Sequence, residues 1–145
     1  MTEIEFHFNV PDKLSYTCRL LRKACRTGVR VVVTAEPDLL TELDRLLWCF
    51  SPTDFLPHCM ATSNGQMLAV TPVLLAEQLE SCPADSVLIN LGQTVPDDFA
   101  RFERFIELVS GQENDRLVGR QRWKHYKDRG YAMKQNDLAA SREAT

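Results

Sequence analysis

Val29-Arg-Val-Val-Val-Thr-Ala35 is a β-branched run with one interruption, Arg30, near its start. Such a run reads as a strand covered on both faces, because nothing in it alternates between apolar and polar. A strand of this kind needs helices above and below, so its flanks decide the fold. Upstream, Ile4, Phe6 and Phe8 alternate with Glu3, Glu5 and His7, the period of a half-buried strand with His7 on its outer side. Pro11 and Asp12 then open a helix that Asp12 caps, with Leu14, Cys18, Leu21 and Cys25 along its inner face and Gly28 at its end. Downstream, Glu36 and Pro37 start a second helix bearing Leu39, Leu40, Leu43, Leu46 and Leu47. Strand, helix, strand, helix predicts right-handed crossovers and a largely parallel sheet in a three-layer α/β fold.

Further along, Trp48 to His58 combines two prolines with aromatics and reads as a structured loop, and Asn64-Gly65 marks a turn. Val70 to Leu75 is expected as an edge strand, since Pro72 cannot donate to a central ladder. Ser86 to Leu91 reads as a buried strand and Asp97 to Ala100 as a helical turn. Arg104 to Val109 reads as a strand with Phe105 and Glu107 on one face and Ile106 and Leu108 on the other. Gly111 to Arg129 is expected as a helix stopped by Gly130. The expected organisation is one domain over 1–133 and a polar, frayed tail over 134–145.

With 44% apolar and 26% charged residues, the composition is that of a globular chain rather than a disordered one. No stretch is long and apolar enough for a membrane span, and MTEIEFHFNV lacks the basic and apolar regions of a signal peptide. Cys18, Cys25, Cys49, Cys59 and Cys82 form no CxxC pair and are odd in number, so they read as reduced thiols of a cytoplasmic protein. Cys49, His58 and Cys59 fit no common zinc spacing. No metal or cofactor is therefore expected.

Alternating β and α units invite a nucleotide-binding reading, which the loops oppose. Asn9 to Asp12 and Thr34 to Pro37 contain no glycine, so neither brings backbone N–H groups around a phosphate, and Glu36 would repel one. No Ser or Cys stands beside a histidine at a recognisable nucleophile elbow. His7, His58 and His125 read as surface or structural residues, and no active site is expected.

The net charge of −3 hides an asymmetry: from Arg116 onward the chain carries +5, leaving −8 for the remainder. On a helix, Arg116, Arg120, Trp123, Lys124 and Lys127 share one face, while Leu117, Val118, Gly119 and Tyr126 lie opposite and include residues able to pack on a sheet. The stripe is all of one sign, and Arg and Trp are enriched at binding hot spots. Single-stranded nucleic acid is one acidic partner it suits. A short acidic peptide suits it better, because the stripe is short and the rest of the chain acidic.

Three segments carry a family resemblance. They are RLVGRQRWKHYKDRGY from Arg116, LDRLLWCFSPTDFLPH over 43–58, and DSVLINLGQTVPDDFARFERFIELV over 85–109. Together with the opening strand, the first helix and VRVVVTAEP, they resemble the chi subunit of bacterial DNA polymerase III over nearly the whole chain. The resemblance implies a Rossmann-like fold without a functional nucleotide-binding loop. It implies a non-catalytic replication adaptor in the cytoplasm, at the nucleoid-associated replisome, that meets DNA only indirectly and no membrane. The implied partners are the psi subunit, as a 1:1 heterodimer that ties chi to the clamp loader, and the acidic C-terminal tail of single-stranded DNA-binding protein, which ends in a phenylalanine carboxylate. Family members also use the psi surface for an XPD-like helicase. Carried over, the tail site falls on Val109, Arg116, Arg120, Trp123 and Lys124, with Arg116 where a lysine is familiar and Trp123 where a tyrosine is. The psi or helicase contact falls on Trp48, Phe55, Leu56 and Pro57; from the residues alone, Trp48 and Phe55 read equally well as closing the core.

Overall fold

The computed structural model describes residues 2–49, 57–60, 72–79, 82–83 and 85–138. Their strands are β1 (Glu3–Val10), β2 (Val31–Thr34), β3 (His58–Met60), β4 (Val73–Ala76), β5 (Val87–Asn90), β6 (Arg104–Ser110) and β7 (Ala132–Asp137). They form one sheet in the order β3-β4-β2-β5-β6-β1-β7, parallel at every pairing. Among the described residues the helices are α1 (Lys13–Arg26), α2 (Pro37–Cys49) and α3 (Glu113–Asp128), with a 3-10 turn at Phe99–Arg101.

β2 is buried at every position, as its β-branched run requires. Val31 and Val33 face α1 and α2 in a cluster with Leu21, Leu40, Leu43, Leu47, Ile89, Ile106 and Leu108. Val32 faces the other way, into a cluster with Ile4, Phe6, Leu88, Phe105, Val109 and Tyr126 of α3. The chain is therefore three layers, as expected. Asp12 caps α1 by accepting from Leu14 N and Ser15 N at 3.1 and 3.3 Å. Gly28 adopts φ +76° just beyond the helix, a conformation glycine reaches without a Cβ penalty.

Three expectations are corrected. Val73–Ala76 is not an edge strand: it lies between β2 and β3, because Pro72 precedes the ladder and only its carbonyl is used, accepting from Val31 N at 2.9 Å. His7 is not on an outer side: it is buried against α1, since β1 has a neighbour on each edge and a helix over each face of its central part. Of Leu117, Val118, Gly119 and Tyr126, Gly119 and Tyr126 pack on the sheet as expected, and Leu117, about 200° around α3 from Gly119, is 54% exposed. The boundary at 133 falls inside β7, where Lys134 to Asp137 pair with Glu5 to Phe8. A polar strand is easily read as tail; here Asn9 also donates from Nδ2 to Asp137 Oδ1 at 2.8 Å. Residues 139–145 lie outside the described residues, as do the Asn64-Gly65 turn and most of the loop from Trp48 to His58.

Candidate functional site

α3 is laid on the sheet by its buried face, Asp115, Gly119, Arg122 and Tyr126. Gly119 is the point of closest approach: a Cβ there would lie 2.8 Å from Val109 Cγ2. Beneath the next turn, Glu107 projects from β6 with no exposed surface. Its Oε2 accepts from Tyr126 OH at 2.5 Å and Arg122 Nε at 3.1 Å, and its Oε1 accepts from Asn90 Nδ2 at 2.9 Å. Burial pushes the Glu107 carboxyl up to about 7, against the nearby Arg122 charge and the hydrogen bonds. Burial and Glu107 push the Tyr126 phenol upward as well. At the start of the helix, Asp115 Oδ2 accepts from Ser110 N at 2.7 Å and pairs with Lys13 Nζ at 3.3 Å. Burial pushes the Asp115 carboxyl up, but the Ser110 N–H and Lys13 outweigh it and hold it below its usual range.

These anchors rotate Arg116, Arg120 and Trp123 to the side of α3 that overhangs β1 and β7. Together with Phe6, Phe8, Val109, Gly119 and Gln135 they line a groove of about 280 Å³. The Trp123 ring meets Phe6 edge-on, with centroids 5.1 Å apart. Arg116 and Arg120 are exposed, and neither pairs with a carboxylate among the described residues. The result is an aromatic floor beside two uncommitted guanidinium forks, suited to an apolar group attached to a carboxylate.

Four of the five expected tail-site residues, Val109, Arg116, Arg120 and Trp123, thus line one groove. Lys124 is exposed one position further round α3 and does not line it. Phe6, Phe8 and Gln135 escaped the sequence reading, since they come from strands that only the register brings under α3. Arg122, Asp115 and Glu107 escaped it too: a buried charge on a basic helix looks like a solvated one, and only the facing carboxylate sets it apart.

At the other end of the sheet, Trp48 is 60% exposed at the end of α2, with its ring edge-on to His58 at 5.1 Å. His58 is buried and pairs through Nε2 with Asp44 Oδ1 at 3.1 Å. Pro57 is exposed; Phe55 and Leu56 lie outside the described residues.

The carboxyl ends of β2, β4 and β5 border a cavity of about 450 Å³ whose lining includes Glu36, Glu77, Asp97 and Asp98. Four carboxylates repel phosphate, and Glu36 Oε1 already accepts from Gln93 N at 3.3 Å. Among the described residues no group of His, Cys, Asp and Glu is placed to hold a metal, and no helix is long and apolar enough to cross a membrane.

Residues 1–134 match the family model described as DNA polymerase III chi subunit, HolC. The chain is 31% identical to DNA polymerase III subunit chi of Pseudomonas aeruginosa, over 95% of this chain and 98% of that one. It is 26% identical to the subunit of the same name from Haemophilus influenzae, over 80% and 81% of the two chains. The chi subunit of Escherichia coli is 24% identical over 80% and 79%.

Proposed function

The chain belongs to the DNA polymerase III chi subunit family of replication accessory subunits, and from that premise we propose that it is a non-catalytic adaptor with two protein-binding surfaces. The α3 groove takes the acidic C-terminal tail of single-stranded DNA-binding protein. The surface around Trp48 and Pro57, continued by Phe55 and Leu56, takes psi and through it the clamp loader. The adaptor thereby links the replicase, in the cytoplasm, to protein-coated single strands on the lagging strand.

The observation that carries this reading is the placement of Arg116 and Arg120, neither in an ion pair among the described residues, beside the aromatic floor of Phe6, Phe8 and Trp123. A peptide ending in phenylalanine offers both halves at once: a ring for the floor and a terminal carboxylate for the guanidinium forks. Acidic residues before it meet the remaining charge of the helix, so affinity falls with salt as exposed charges are screened over about 8–10 Å.

The test compares three ligands by titration: an acidic peptide ending in a free Phe carboxylate, the same peptide amidated, and a single-stranded oligonucleotide. The free-acid peptide binds tightest on this reading. Equal binding of the amide, or tighter binding of the bare oligonucleotide, rejects it.

A further inference from the structure

On the opposite face of the sheet, α1 does not lie flush on the strands. A trough of about 320 Å³ runs between them, within the size range of small-ligand sites. Its floor is aliphatic, with Val87, Ile89 and Ile106 below and Leu20 and Ala24 of α1 above.

Its two ends differ in chemistry. Lys23 and Arg104 stand at one end, both exposed and neither in an ion pair among the described residues. At the other end His7 bridges Tyr16 and Glu5, with Nδ1 2.6 Å from Tyr16 OH and Nε2 3.0 Å from Glu5 Oε1. The separation follows from register. Arg104 pairs with Glu3, and Leu108 with His7, so the two ends are four residues apart along β6, about 13 Å. α1 runs back above the strands, and Tyr16 to Lys23 spans seven residues, about 10 Å.

Glu5, which can only accept, takes the proton of His7 Nε2, and His7 Nδ1 shares a hydrogen bond with the Tyr16 hydroxyl. Burial and Glu5 push the Tyr16 phenol up, so it keeps its proton. Its oxygen can still accept, in a lining that also includes Asn136, the register neighbour of His7 on β7. Glu5 accepts from His7 and neighbours Ile106 and Lys134 in the strand register, while Glu3, beside Arg104 in that register, makes no ion pair with it among the described residues.

We propose that this trough is a binding site for an elongated amphipathic small molecule. Such a molecule carries one anionic group, a carboxylate or a phosphate, at Lys23 and Arg104, an apolar middle on the aliphatic floor, and a hydroxyl or amide donor at Tyr16. The site is independent of the α3 groove and lies on the other side of the sheet.

The test is an amide chemical-shift titration of the full chain with 4-hydroxycinnamate, with 4-acetamidophenyl phosphate and with neutral 4-hydroxycinnamyl alcohol. Saturable shifts at Tyr16, Lys23 and Ile106 are expected with the two anions, the tighter one identifying the head group, and weak or no binding with the alcohol. Lys23→Ala/Arg104→Ala, at exposed positions, is expected to weaken the anions about tenfold or more while leaving acidic-peptide binding at α3 unchanged. Tyr16→Phe should weaken them by a smaller factor. The proposal is overturned if no saturable shift occurs up to millimolar ligand, if the shifts map to the α3 groove, or if the double variant binds as wild type does.

Discussion

Val109 stands where a side chain on Gly119 would have to go: its Cγ2 and Cγ1 lie 2.8 and 3.0 Å from the position of a Cβ there. This close approach of α3 to β6 lowers Arg116, Arg120 and Trp123 onto Phe6 and Phe8. The groove is therefore a consequence of one absent side chain as much as of the basic residues that flank it.

Gly119→Ala should destabilise the protein by about 1–3 kcal/mol through overpacking and weaken peptide binding as α3 lifts. Val109→Ala opens the space the new methyl needs. In a double-mutant cycle read by urea unfolding, Gly119→Ala/Val109→Ala should be less destabilised than the sum of the two single variants. Additivity would mean that the two residues do not press on each other.

Glu107 makes stability depend on pH. Its folded carboxyl is raised to about 7, above the unfolded value of 4.5, because burial disfavours the charge. A raised acid binds more protons folded than unfolded, so its contribution is fully present below pH 4.5 and is lost as pH rises through 7. Each unit of difference is worth about 1.4 kcal/mol, which sets the scale at a few kcal/mol. Unfolding free energy of wild type minus that of Glu107→Gln should therefore fall between pH 4.5 and pH 7.5. A flat or rising difference contradicts this.

Trp48→Ala should change stability by no more than about 1 kcal/mol, since the residue is 60% exposed and its ring meets His58 only edge-on. On the proposed function it should nonetheless lower the yield of a complex with psi in a co-purification. A marked loss of thermal stability would instead assign Trp48 to the core.

Ending the chain at Met133 removes the pairing of Lys134 to Asp137 with β1 and the Asn9 hydrogen bond. It also removes Gln135 from the groove wall. The truncated chain should melt several degrees lower and bind the acidic peptide more weakly; unchanged melting would mean that this end of β7 contributes nothing to the fold.

How much of this was legible in the sequence follows from what each signal depends on. β2, α1 and α2 were readable because the apolar run of β2 and the apolar periods of the two helices are local. β7 was not, since its polar residues sit at an edge and gain their place only by pairing with β1. Pro72 misled because its effect depends on where the ladder begins, and the proline falls just before it. The cationic half of the groove was visible as an i, i+4 stripe on α3, but Phe6 and Phe8 of its floor lie more than a hundred positions away in the chain. His7 looked solvent-facing because a period of two cannot tell which faces of a strand will be covered.

The most direct measurement uses the chain's two tryptophans. With Trp48→Phe in place, intrinsic fluorescence reports Trp123 alone. Titration with an acidic peptide ending in Phe should change that signal saturably, and Arg120→Ala in the same background should weaken binding about tenfold or more. An unchanged Trp123 signal on binding, or equal affinity without Arg120, would contradict the assignment of the α3 groove as the tail site.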